Sequence, residues 1–309
     1  MNGNRQRTRG LLALTLAALL AVCACGPAFA EELALTDMAG RAVTMPAAAS
    51  RIVVLAAADC EILYALGAGD QVVGRGEYCV YPEQVLAVPV VQSGAETNIE
   101  QIIALEPQVV IMGMMAQTQE QVAALEAAGI AVLVSNAQDL AGVYAAIEMI
   151  GSAAGRTDEA AALTQGMQSA FAELSDLAGG DGTQSVYFEV SPLEWGLWTA
   201  GSGTFMDELA TMLGLRNAFA DVQGWGGISQ EQVIERDPDI IVTIAMYFGE
   251  GMTPVEEILQ REGWQGLSAV REGRILNADS NEISLPGPRL VDAAHTLYEF
   301  VFAAEDDAA

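Results

Sequence analysis

Two stretches of the chain, NIEQIIALEPQVVIM at 98–112 and SQEQVIERDPDIIVT at 229–243, align without a gap although 131 residues separate them. Each opens on Asn98 or Ser229, places Glu-Gln two and three positions later, adds an apolar pair and ends in acid-Pro before a β-branched run. Local chemistry explains most of this pattern. Asn and Ser accept from the free amides of a first helical turn, and a Gln three residues on completes a capping box, so Asn98/Gln101 and Ser229/Gln232 predict two helix starts. Ile102/Ile103 and Val233/Ile234 are expected to face a sheet, and Pro107 and Pro238 stop each helix and launch a strand. The helix dipole favours a carboxylate in the first turn, which suits Glu100 and Glu231, yet the corner forms without them. A chain that builds one helix-to-strand corner twice is constrained to two α/β units of like construction.

The rest of the pattern agrees. Short β-branched runs at 51–56, 71–75, 108–113 and 131–135 alternate with helical stretches at 60–69 and 118–129, the rhythm of a parallel sheet covered by helices. The rhythm breaks at 139–179, where a helix of about 20 residues and roughly 30 Å is expected, closed by the Gly-rich AGGDGTQ at 178–184. Strands then resume at 185–190, 239–245 and 274–279, with helices at 204–214, 254–263 and from Pro286 to about Ala304. The expected fold class is α/β: two lobes with central, mostly parallel sheets flanked by helices, joined by one long rigid helix. The expected divisions are a leader at 1–25, an N-terminal lobe at 33–138, a connecting helical segment at 139–180 and a C-terminal lobe at 185–305.

Composition narrows the partners. With 41 acids against 13 bases, all of them Arg, the chain repels nucleic acid and anionic headgroups. Arg5, Arg7 and Arg9 precede an apolar run from Leu11 to Ala24, the form of an export leader and too short for a good membrane span. VCAC at 22–25 resembles a lipobox ending at Cys25, although Cys at its second position departs from the usual residue; AFA at 28–30 offers a competing cleavage site. Lipidation at Cys25 is the favoured reading over cleavage after Ala30, and either route places the body outside the cytoplasm. There Cys60 and Cys79 are an even pair, a candidate disulfide or two buried free thiols.

Catalytic arrangements find little support. TAGSGTF at 199–205 is glycine-rich before a helix but is not G-x-G-x-x-G, and the chain has no Lys to meet a phosphate. Its single histidine, His295, sits within a helical pattern, no spacing isolates a carboxylate pair, and no Cys-x-x-Cys points to a metal. No catalytic residue, resident metal or cofactor is expected.

Taken with LTDMAGRAVTMP (35–46), SRIVVLAAADCEILYALGAGDQVVGRGEYCVYP (50–82) and LPGPRLVDA (285–293), the two corners give the chain a resemblance to the substrate-binding proteins of ABC importers for iron complexes, haem and corrinoids. These are periplasmic binding proteins of class III, with two lobes on one backbone helix. The resemblance implies a monomer that captures a metal chelate between its lobes and docks on permease subunits through one carboxylate per lobe, here Glu100 and Glu231. Matching positions imply ligand contacts from Asp59, Cys60, Arg75, Tyr78, Trp225, Met246, Tyr247, Glu282 and Arg289. An anionic ferric siderophore would use Arg and aromatic residues; haem would take an axial Tyr, His or Met, for which Met112, Met114 and Met115 offer thioethers. A corrinoid would meet Tyr78, Phe188 and Trp225, although Gly94, Gly113 and Glu282 stand where such binders can carry Trp. An iron complex, siderophore or haem, is the leading expectation and a corrinoid the alternative.

Overall fold

A computed structural model describes residues 32–115, 118–246 and 251–303. An antiparallel hairpin, β1 (Leu33–Thr36) and β2 (Ala42–Met45), leads in and is tied to the first sheet by the Met38 amide, which donates to the Val134 carbonyl at 3.0 Å. That sheet is wholly parallel, in the order β5 (Val90–Val91), β4 (Val72–Gly76), β3 (Ile52–Val54), β6 (Val109–Gly113), β7 (Ala131–Ser135). Helices α1 (Ala57–Ala65), α2 (Ile99–Ala104) and α3 (Thr118–Ala127) lie between its strands in the chain.

The second sheet runs β11 (Trp225–Gly227), β9 (Trp198–Ala200), β8 (Ser185–Ser191), β12 (Ile240–Thr243), β13 (Ile275–Asn277), with β10 (Arg216–Asn217) also on β8. β8, β12 and β13 are parallel, whereas β9 and β11 form an antiparallel edge. Sequence reading missed that edge and the opening hairpin, because Gly and Pro punctuate runs too short to show alternation. The second lobe also holds α6 (Phe205–Met212), α7 (Gln230–Arg236), α8 (Pro254–Gln260), α9 (Ser268–Glu272), α10 (Ser280–Ile283) and, near the end, α11 (Leu290–Tyr298).

Between the sheets the chain passes through α4 (Leu140–Ala154) and the 22-residue α5 (Thr157–Ala178). Ala160, Thr164, Met167, Phe171, Leu174 and Ala178 make one buried stripe along α5, at the three- and four-residue spacing of a helix face. Gly179 ends the helix in the left-handed conformation (φ 55°), which a side chain would resist. α5 packs on α6 and α11 of the second lobe and on α4, which in turn packs on α1 of the first, so the two helices join the lobes. One buried apolar cluster accordingly runs from Ile52 and Val54 of the first sheet, past Phe171, to Val186, Phe188, Ile240 and Val242 of the second. A continuous core of this kind makes the joint stiff.

Each sheet also has an outer face. Val53, Val110 and Val132 turn away from the shared core to meet Ile102 of α2, while Tyr187 and Ile241 meet Val233 of α7. The two corners therefore plug one apolar residue each into equivalent outer layers. Ile103 and Ile234, expected to face the sheets, do not: both are exposed. On a helix of one or two turns only a narrow strip reaches the sheet, and Ile102 and Val233 fill it.

Candidate functional site

In parallel α/β sheets ligands bind beyond the carboxyl ends of the strands. Here the loops after β3, β6 and β7 meet Leu285 and Pro286, from the segment before α11, around a cavity of about 210 Å³. Asp59, in the first turn of α1, lines it. Its carboxylate is buried and accepts from the Ser135 hydroxyl at 2.6 Å. Burial pushes the Asp59 carboxyl up to about 6 despite that hydrogen bond.

The strand-end loops of both lobes carry exposed apolar side chains. Tyr78 (77 % exposed) follows β4 and Met114 follows β6; Trp195 (78 % exposed) follows β8 and Met246 follows β12. Trp198, at the start of β9, is also exposed. Sequence reading overlooked Trp195 and Trp198, although two tryptophans in a Pro- and Gly-flanked segment directly after a strand are a signal it could have used. Tyr247 lies outside the described residues, as does Cys25. Glu282 is half-buried in α10, and burial, followed by the charges of Asp279 and Asp292, raises its carboxyl.

Other expected ligand contacts are turned to structure. Arg75 is buried: its Nε donates to the Val88 carbonyl at 3.2 Å and Nη1 to the Cys79 carbonyl at 3.1 Å, tying β4 to the loops beside it. Arg289 grips Glu61 through Nε and Nη2 at 2.9 and 2.5 Å and stacks 4.2 Å over Tyr81, bracing the start of α11 against α1. These contacts engage Arg75 with backbone carbonyls and pair Arg289 with the Glu61 carboxylate, which already balances its charge. Phe188 is wholly buried in the shared core. Trp225 is half-buried on β11, 5.4 Å from the Phe205 ring, and its Nε1 donates to Gln138 Oε1 at 3.1 Å. The Gln138 carbonyl accepts from the Phe205 amide at 2.9 Å, so Trp225 clasps the second lobe to the segment leaving the first.

Cys60 and Cys79 are free thiols, both buried. Contact with Cys79, then burial, holds the Cys60 thiol protonated far above the ordinary range. Iodoacetamide should therefore label neither sulfur in the native protein and both after denaturation without reductant; no labelling after denaturation would mean the two had joined as a disulfide.

At the repeated corners Glu100 and Glu231 are both exposed. The Ser229 hydroxyl, and then the residue's own backbone amide, hold the Glu231 carboxyl below its usual range. The capping box is complete at the second corner, where Ser229 accepts from the Gln232 amide at 3.3 Å and Gln232 Oε1 from the Ser229 amide at 2.9 Å. At the first corner only half of it forms. Asn98 Oδ1 accepts from the Gln101 amide at 3.0 Å, but Gln101 Oε1 accepts from Gln92 at 3.1 Å, because the Asn98 amide is already bonded to the Gln92 carbonyl.

Known proteins share this plan. The pattern of the periplasmic binding protein family matches residues 52–282. An uncharacterized ABC transporter substrate-binding lipoprotein, YvrC of Bacillus subtilis, is 31 % identical over 96 % of this chain and 98 % of its own. A vitamin B12-binding protein of Salmonella choleraesuis is 26 % identical over 81 % of this chain and 89 % of its own. The crystal structure of a possible iron-binding (periplasmic solute-binding) protein from Staphylococcus epidermidis superposes with a TM-score of 0.72 at 27 % identity, covering 82 % of this chain and 99 % of that one. With two α/β lobes on a shared helical joint and strand-end loops lining a cleft, the chain belongs to the periplasmic binding protein family, the extracytoplasmic substrate-binding components of ABC transporters.

Proposed function

We propose that the protein captures a flat metal chelate in its interlobe cleft, haem as the iron complex and a corrinoid as the alternative cargo. The observation that carries this is the make-up of the strand-end loops of the two lobes. Tyr78, Trp195, Trp198, Met114 and Met246 are exposed on or beside those loops, while Arg75 bonds backbone carbonyls and Arg289 pairs with Glu61. Aromatic and thioether side chains suit the face of a macrocycle, and Met114 or Met246 supplies a thioether of the kind that ligates haem iron. An anionic ferric siderophore would meet Arg289 only with its charge already balanced by Glu61, which ranks it behind the two macrocycles; the similarity to a possible iron-binding (periplasmic solute-binding) protein is compatible with either iron complex. The B12-binding relative supports the corrinoid.

Delivery is to the permease of an ABC importer, with Glu100 and Glu231 as the docking acids, one from each lobe. The protein acts as a monomer, does no chemistry on its cargo, and is held at the outer face of the cytoplasmic membrane by lipidation of Cys25. Titration of residues 31–309 with haem, cobalamin and ferric siderophores, followed by tryptophan fluorescence and calorimetry, tests the cargo. Saturable binding of haem or cobalamin is expected, with quenching that weakens in a Trp195→Phe variant. Binding of siderophores alone would replace the macrocycle reading, and binding of none would end the chelate class.

A further inference from the structure

The repeated corner holds more than two acids. From 99 to 107 and from 230 to 238 the degree of burial agrees at every position, ending on buried Pro107 and Pro238. Backbone strain repeats as well. Among the described residues the non-glycine positions with positive φ are Glu106 (48°) and Asp237 (41°), each directly before the proline. Left-handed backbone is disfavoured for such residues, so the same uncommon geometry has been built twice. Between these fixed points the sequences drift: Ala104 stands opposite Glu235, and Leu105 opposite Arg236. Glu, Gln and an exposed isoleucine do not drift.

Ile103 and Ile234 are each 42 % exposed. Each lies three residues after its acid, so acid and isoleucine share one helix face. A single exposed isoleucine is ordinary. Two at the same place beside two acids, on corners alike in cap, burial and strain, present one surface in duplicate. A duplicate surface on a monomer matches a partner that offers the same receptor surface twice.

We propose that Ile103 and Ile234 are the apolar centres of two equivalent docking faces, each seating in an apolar pocket on one of two like permease subunits while Glu100 or Glu231 meets a base at the pocket's edge. The proposal rests on the permease reading of the two acids. The roles divide physically: a rim charge steers encounter and fixes register, whereas a desolvated apolar centre slows departure.

The test measures docking of the whole protein on its permease–ATPase complex in nanodiscs, with rates resolved across salt concentrations. Ile103→Ser with Ile234→Ser should weaken docking about tenfold, mainly through faster dissociation, with the salt dependence unchanged. Ile103→Leu with Ile234→Leu should restore most of it. Leu177→Ser, which changes a 66 % exposed leucine near the end of α5, should dock as the unaltered protein does. Thermal midpoint and ligand affinity report that the variants are folded. Unaltered docking by the isoleucine-to-serine pair, alongside loss in the Glu100→Ala/Glu231→Ala pair, would overturn the proposal and leave the docking acids standing. Failure of the unaltered protein to dock would overturn both.

Discussion

Glu100→Ala combined with Glu231→Ala is expected to reduce transport about a hundredfold while ligand affinity stays within about twofold of the unaltered protein. Both acids are exposed and neither lines the cavity around Asp59, so removing them leaves that cavity intact. A first-turn carboxylate on an exposed helix start adds only a small, screened dipole contribution, so its loss leaves both lobes folded. The Ser229 hydroxyl holds the Glu231 carboxyl below its usual range, so its charge is present at neutral pH. Each single substitution should fall between, since one face still docks. Raised salt should mimic the loss, because exposed charge pairs are screened within a Debye length of about 8 Å at physiological ionic strength. Uptake assays in cells carrying each variant check this, with ligand titration as the control. Normal uptake by the double variant would return both acids to helix capping.

The corners were legible in the sequence because their signals are local. Caps, a following proline and a β-branched run act within a few residues, and the strands at 109–113 and 131–135 fall where the runs predicted them. What lay beyond reach depends on the third dimension. The partners of Arg75 are carbonyls of Val88 and Cys79, and the partner of Arg289 is Glu61, 228 residues away in the chain. Residue type alone marks an arginine as ready for an anion, and only the fold shows it turned inward. Trp225 looked free between glycines, yet pairing of β11 with β9 carries it to Gln138. Ile103 and Ile234 erred in the opposite direction: an apolar pair reads as two buried residues, and a helix this short buries one.

Asp59→Asn should stabilise the protein by about 3 kcal/mol at pH 7–8 and by almost nothing near pH 4. The sign follows from where the proton is held. Burial raises the folded-state value from 3.8 to about 6, so the folded protein binds this proton more tightly than the unfolded chain does. Below 3.8 both states are protonated and the site carries no penalty. As pH rises from there to about 6 the unfolded chain ionises first, stability falls, and above 6 the full penalty of a buried carboxylate is in force. Asparagine removes the titration and still accepts from the Ser135 hydroxyl, so the variant's stability should lose this fall between pH 4 and 6. Urea unfolding at a series of pH values measures it, and parallel curves for the two proteins would refute the shift. The same pair of proteins tests the cavity. If the carboxylate meets the cargo, the more stable variant should bind it more weakly at neutral pH, the trade expected where a destabilising group serves a binding site. Greater stability with unchanged affinity would confine Asp59 to the interior of its lobe and move the cargo outward, onto the side chains of Tyr78, Met114 and Trp195.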